Sequence, residues 1–434
     1  LSVLHRTDPG LATGGDPPGL RRGSRQARRR SAPRHPAGRA QPPHPWGSPR
    51  RPHLDPLHTR ASAGRPVAGP PAPSGTTGRP GSAAGSRLLL SPLFRPCPAR
   101  GRARQADRLT GSPTMSFALF ANVENTSDNP ARALAETTTT VELAEALGIE
   151  EAWVTEHHFN RFSVSASIFP LLGWLAGRTR HIRLGTAAVL LPFHHPIRVA
   201  EDAATLDALS GGRLMLGVAR GGPFPQQFRH FGVGEEDSRN RTLEALCVVD
   251  RLLHEEDVSH LGRWYWTDRV TIHPRPLQRP VPIWLASLAE DSIDLAARRG
   301  FGLMGASAAP VDSLLPALRR YRDCSTAPGR PFVLARYFLC NENHQRACDE
   351  AATFIQAFPA RMGAQGRQPP RDRKAPSPLA NALVGDPAAI LDQVRTLQSQ
   401  LDTPHTLLLK PATDNPDTAR HALTLFAEKV RPQL

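Results

Sequence analysis

From residue 115 onward, short apolar runs alternate with longer stretches in which apolar side chains recur every three or four positions. A run of the first kind reads as a buried strand, and a stretch of the second kind as an amphipathic helix. Residues 116–121 predict a strand. Residues 130–147 place Leu134, Val141, Leu143, Ala144 and Leu147 among Glu and Thr, a helix closed by Gly148, whose missing Cβ lets it end a helix in the left-handed conformation. Strands follow at 152–155 and 182–189, separated by a mostly apolar helix at 165–177. A helix at 197–209 with Glu201, Asp202 and Asp207 leads through the Gly211-Gly212 turn to a strand at 214–218.

The same alternation continues to the end of the chain. Helices are predicted at 238–254, 292–299, 312–322, 345–358, 387–398 and 418–430, and strands at 283–286, 301–304, 333–339 and 406–409. Eight strands alternating with about eight helices describe parallel units with right-handed crossovers, and their number suits a closed (β/α)₈ TIM barrel. An open dinucleotide-binding sheet needs a Gly-rich turn after its first strand, and residues 122–129 contain none. Two segments break the rhythm: 260–280, with Trp264, Tyr265 and Trp266, and 360–379, rich in Arg and Pro, which reads as a mobile loop or lid.

Composition divides the chain at the same place. Residues 1–114 hold 20 arginines, no lysine, 20 prolines and four acids, a formal charge of +16. The whole chain carries +15, so the segment with strand and helix periodicity is nearly neutral at −1. Without apolar period the first 114 residues cannot bury enough surface to offset chain entropy, and we expect a disordered extension ahead of a start at Met115, with the barrel over 115–434. Nucleic-acid binding by this extension is disfavoured, because no aromatic side chains are interleaved with its arginines. Five cysteines without CxxC spacing argue for reduced thiols, no run of about twenty apolar residues occurs, and a cytoplasmic location is the expectation.

Polar residues cluster after the expected strands, at the face where a barrel keeps its active site. Glu156-His157-His158-Phe159 follows the second strand, and an imidazole beside a carboxylate is suited to moving protons near neutral pH. Zinc ligation by Glu156, His157, His194 and His195 matches no short metal motif, so no metal is expected. The small residues Gly185-Thr186-Ala187-Ala188 suit either close approach to a flat ligand or barrel packing. Arg220 follows the fourth strand and precedes Gly221-Gly222, while Arg239 stands in the first turn of a helix, where its charge opposes the helix dipole. Two such guanidiniums, with the Ser287 hydroxyl after the fifth strand, suit a phosphate dianion.

The combination of Glu156-His157-His158-Phe159, the run from Gly185 to Pro192, the run from His195 to Asp202, the run from Asp207 to Arg213, Phe231-Gly232 and Ser238-Arg239 resembles the bacterial luciferase family of flavin-dependent monooxygenases. The resemblance covers 115 to about 430 and is most specific between 150 and 240. It implies a catalytic histidine at His157, a non-proline cis peptide beneath the flavin ring at Ala187-Ala188, and phosphate-binding arginines at Arg220 and Arg239. Ser287, in Ala286-Ser287-Leu288-Ala289-Glu290, stands near the family's serine without a clean match. The family's reactive cysteine is replaced by Ala219, and the loop at 302–310 is short, which argues against light emission.

The resemblance further implies reduced FMN delivered by a separate flavin reductase, dioxygen, an organic substrate such as an aldehyde, and a homodimer. An apolar pocket is expected from Phe120, Phe159, Phe193 and Trp284. Two alternatives share the barrel: a deazaflavin (F420)-dependent oxidoreductase, and a flavin-binding protein without turnover.

Overall fold

The computed structural model describes residues 115–325, 330, 332–363, 377, 379–401 and 403–434. The expectations for 1–114 and for most of the loop at 360–379 lie outside the described residues. In chain order the elements are β1 (Met115–Ala121), α1 (Pro130–Ala146), β2 (Glu151–Val154), α2 (Ile168–Arg178), β3 (Arg183–Thr186), β4 (Val189–Leu190), α3 (Pro196–Ser210), β5 (Leu214–Ala219), α4 (Pro225–His230) and α5 (Ser238–His254). They continue with β6 (Val258–Leu261), β7 (Trp266–Val270), β8 (Ile283–Leu285), α6 (Glu290–Arg299), β9 (Gly302–Gly305), α7 (Val311–Cys324), β10 (Phe332–Cys340), α8 (His344–Arg361), β11 (Leu383–Gly385), α9 (Pro387–Gln400), β12 (His405–Pro411) and α10 (Pro416–Leu425).

Eight of these strands close a ring in the order β1-β2-β3-β5-β8-β9-β10-β12 and back to β1, each pair parallel. The fold is a TIM barrel. Helix boundaries follow from local chemistry: Asn129 accepts the Arg132 amide at 3.1 Å ahead of Pro130, and Gly211 and Gly300 close α3 and α6 at φ near 70°. One large apolar core lies between the strands and the helices, and a smaller one fills the barrel interior around Trp153, Met215, Trp284 and Met304.

Three local features depart from the periodicity. The strand expected at 182–189 is interrupted: β3 ends at Thr186, the Ala187-Ala188 peptide is cis, and β4 resumes at Val189 against β5. At the break the Thr186 hydroxyl takes over the ladder, donating to the Gly217 carbonyl at 2.6 Å and accepting from the Gly217 amide at 2.8 Å. The excursion at 260–280 begins within an antiparallel hairpin, β6–β7, whose tip docks on α5 because the Glu244 carboxylate accepts the amides of Arg263, Trp264 and Tyr265. A short strand absent from the expected set, β11, adds to the far end of β10.

Several motif residues hold this frame together. Asp207 is buried and accepts two hydrogen bonds from Gln278, one from its amide and one from its side chain. Arg213 donates to the carbonyls of Ala176, Ile182 and Ser210, tying α2, the entry to β3 and the end of α3 together. Gly185 and Gly302 are small for packing reasons: a Cβ would stand 2.3 Å from the Trp153 ring at the first and 2.1 Å from the Trp284 ring at the second. Those two indoles meet edge to face at 5.2 Å inside the barrel.

Candidate active site

The C-terminal ends of the strands carry the candidate residues. His157 follows β2 and is half-buried, its ring edge-on to Phe224 at 5.7 Å. Burial first and the Lys410 ammonium second push its imidazole down to about 4, against an opposing pull from Glu156. At neutral pH the ring is therefore uncharged, with one nitrogen able to donate and the other to accept a hydrogen bond.

Glu156 faces away from that chemistry. Its Oε1 accepts from the Nε2 of both His158 and His194 at 2.7 Å, and its Oε2 accepts from the Leu190 amide at 3.1 Å. Burial would raise the Glu156 carboxyl, but hydrogen bonds from His158 and His194 outweigh it and hold it below the usual carboxylate range. Burial opposes charge on His194, yet its bond to Glu156 raises the imidazole above its ordinary value. This clamp ties the end of β2 to β4, so it fixes the strand break at Ala187-Ala188. The ligand atoms of Glu156, His158 and His194 also lie within 4.8 Å of one another, a spacing that suits a cation, although two hydrogen bonds already converge on Oε1. The zinc set weighed from sequence is not brought together, because His195 instead accepts the Ile197 amide at the start of α3.

Arg220 stands just beyond β5 and Arg239 in the first turn of α5, both exposed. Among the described residues neither guanidinium has an ion-pair or hydrogen-bond partner. Ser287 is half-buried beyond β8; Val218 pairs with Leu285, so Arg220 and Ser287 follow adjacent strands at the same level. The Ser287 hydroxyl accepts the Ala289 amide at 3.4 Å, a long bond that leaves its proton available. Ala187 is half-buried and packs on the barrel-interior core, and Ala188 is buried. Arg220, Arg239 and Ser287 thus offer two exposed cations and a hydroxyl, and Ala187 and Ala188 put small side chains at the strand break.

The aromatic pocket expected from sequence separates into two groups. Phe120 and Trp284 belong to the barrel interior, whereas Phe159 is largely exposed and Phe193 stacks on Phe231 at 4.9 Å and meets Phe228 edge-on. Phe193 and Phe228, the latter from α4, pack together beside Gly221, just beyond the end of β5. Sequence reasoning also missed Lys410, Glu124 and Tyr337 at the mouth. The available signal was a lysine ending the apolar run Leu407-Leu408-Leu409, in a chain with three lysines among its 54 cationic residues.

In sequence and in fold the chain is similar to known proteins. The family described as luciferase-like monooxygenase matches residues 115–403. The chain belongs to that family, whose relatives are named as oxygen-incorporating enzymes. It is 30% identical over 318 residues to 4-hydroxyprotoasukamycin monooxygenase of Streptomyces nodosus subsp. asukaensis, covering 68% of this chain and 85% of that one. It is 33% identical over 189 residues to the oxygenase component of flavin-dependent trigonelline monooxygenase from Acinetobacter baylyi (strain ATCC 33305 / BD413 / ADP1), a match of 43% of this chain and about half, 52%, of that protein. Among solved structures, monooxygenase RslO1 from Streptomyces bottropensis superposes with a TM-score of 0.65 at 27% identity, covering 74% of this chain and 99% of that one. An F420-dependent secondary alcohol dehydrogenase, 18% identical with a TM-score of 0.59, shows the shared fold alone.

Proposed function

We propose that this protein is the oxygenase component of a two-component flavin-dependent monooxygenase, taking reduced FMN from a separate flavin reductase and working as a homodimer on a small organic substrate such as an aldehyde or ketone. Bound reduced flavin supplies the electrons that activate dioxygen; orientation, charge and water exclusion are the work of the chain. The observation that carries this reading is the pair Arg220 and Arg239, exposed beside the barrel mouth without an acid or carbonyl partner among the described residues. Ser287 adds a hydroxyl on the adjacent strand end. Ala187 and Ala188 leave room for a ring at the break between β3 and β4. His157, uncharged at neutral pH, gives and takes a hydrogen bond at the reacting face.

Anaerobic titration with reduced FMN, reduced riboflavin and reduced F420 tests the assignment. Reduced FMN should bind more tightly than riboflavin, and Arg220→Ala or Arg239→Ala should each weaken FMN about tenfold or more, the worth of a charge-assisted hydrogen bond, with riboflavin unaffected. Tight binding of F420 alone would replace oxygen activation with hydride transfer.

A further inference from the structure

Lys410 lies at the C-terminal end of β12 and is 4% exposed. Leu408, two residues earlier, belongs to the barrel-interior core, so the strand's alternation turns Lys410 to the same inward side at the mouth. Its Nζ sits 3.5 Å from the centre of the Phe358 ring, 4.6 Å from Tyr337 and 5.5 Å from Phe120. Three ring faces attract the ammonium, but they do not replace the hydrogen bonds that water gives it. Among the described residues no carboxylate forms an ion pair with Nζ and no group hydrogen-bonds to it.

Among the described residues the charged groups around it are few. Glu124 acts on it through space and Asp414 acts on Glu124 in turn, and the neutral His157 and the Tyr337 phenol also lie in its field or against it. Burial pushes the Lys410 ammonium below its ordinary value, with Glu124 pulling the other way. Its place in the ring matters as much: β12 is four strands from β5 in an eight-stranded barrel, on the wall opposite Arg220. The cations suited to a phosphate and this cation therefore face the mouth from opposite sides, with His157 on the β2 side between them.

We propose that Lys410 is a substrate-binding residue that takes an anionic oxygen, a carboxylate or phenolate, on the organic substrate, and that Phe120, Tyr337 and Phe358 pack against that substrate's flat apolar body. The assignment of the bound partner as substrate rests on the flavin reading above, because that reading places the cofactor phosphate on the opposite wall. A buried ammonium that among the described residues has ring contacts but no ion-pair or hydrogen-bond partner gains most from an anionic oxygen that enters with its own water removed.

The test uses 2-naphthoate and its neutral counterpart 2-naphthaldehyde as probes, with binding to the full chain measured by calorimetry with and without FMN. The wild type should bind the acid at least about tenfold more tightly than the aldehyde, and Lys410→Met should abolish that preference while leaving FMN affinity unchanged. Because Lys410→Met strands the Glu124 carboxylate, the double variant Glu124→Gln/Lys410→Met is measured beside it, and thermal melts establish that each is folded. Equal or absent binding of the acid by the wild type, or a preference that survives in a folded variant, would overturn the proposal. Failure of FMN to bind the wild type would remove the flavin reading instead, and the acid-to-aldehyde comparison without FMN would remain decisive for Lys410.

Discussion

At the scale of single residues, adjacent histidines are given different tasks by what each can reach. His158 turns to the Glu156 carboxylate at 2.7 Å, while His157 turns to Phe224 and into the field of Lys410. Nitrogen-detected NMR of histidine-labelled protein should therefore show one imidazole, lost in His157→Gln, that titrates near 4 rather than near the ordinary 6.5. The sign of the linked stability follows. Below 6.5 the unfolded chain takes up a proton that the folded His157 refuses, so the wild type should lose stability relative to His157→Gln as pH falls from about 6.5 to about 4, with no further change from this group below that. In turnover, His157→Gln should lower kcat by roughly a hundredfold or more with FMN affinity retained, since proton handling rather than binding is removed. Equal activity in the variant would take the catalytic role away from this position.

At the scale of elements, the site depends on how β3 stops. Thr186 satisfies both backbone groups of Gly217 with one hydroxyl, and this requires the strands to approach so closely that a Cβ on Gly217 would lie 2.0 Å from the Thr186 carbonyl oxygen. Backbone cannot yield as a flexible side chain can. Gly217→Ala should cost about 1–3 kcal/mol, read as a lower midpoint in thermal or urea unfolding, and should weaken FMN binding because the strand break beside it shifts. The positions of β3 and β5 were legible in the apolar periodicity, and so was the concentration of small residues between them. The reason for each small residue was not: Gly185 yields to the Trp153 ring and Gly217 to a backbone carbonyl, and both contacts reach across strands. The β6–β7 hairpin was legible only as an interruption, since what fixes it is a carboxylate on α5 that gathers three amides at the hairpin tip.

For the whole molecule, closure joins the last elements of the barrel to the first. β12 pairs with β1 over five residue pairs, and the Ser116 and Thr406 hydroxyls hydrogen-bond at 2.9 Å across that seam. Outside it, Arg431 donates to the Gly148 carbonyl at 2.7 Å and the Leu147 carbonyl at 2.8 Å, anchoring the end of the chain on the closing turn of α1. Removing both charged donors in Arg431→Ala should cost about 1–3 kcal/mol and lower Tm by a few degrees without changing FMN affinity. A loss of FMN binding at unchanged Tm would mean that the seam governs the site rather than the stability. Among the described residues no helix is long and apolar enough to cross a membrane.

The order of strands and helices, the barrel they form and the strand ends at which polar residues collect were determined by the sequence, because apolar period and turn residues act over a few neighbouring positions. Which of several histidines Glu156 holds, why the glycines are glycines, and that a lysine faces the mouth from the last strand were decided by tertiary structure. Those outcomes join residues far apart in the chain: Glu156 meets His194 across 38 positions, and Lys410 lies beside Phe120 only because the barrel closes. Local preference cannot choose among partners that distant, whereas strand pairing brings them within a few ångströms and burial makes their charges count.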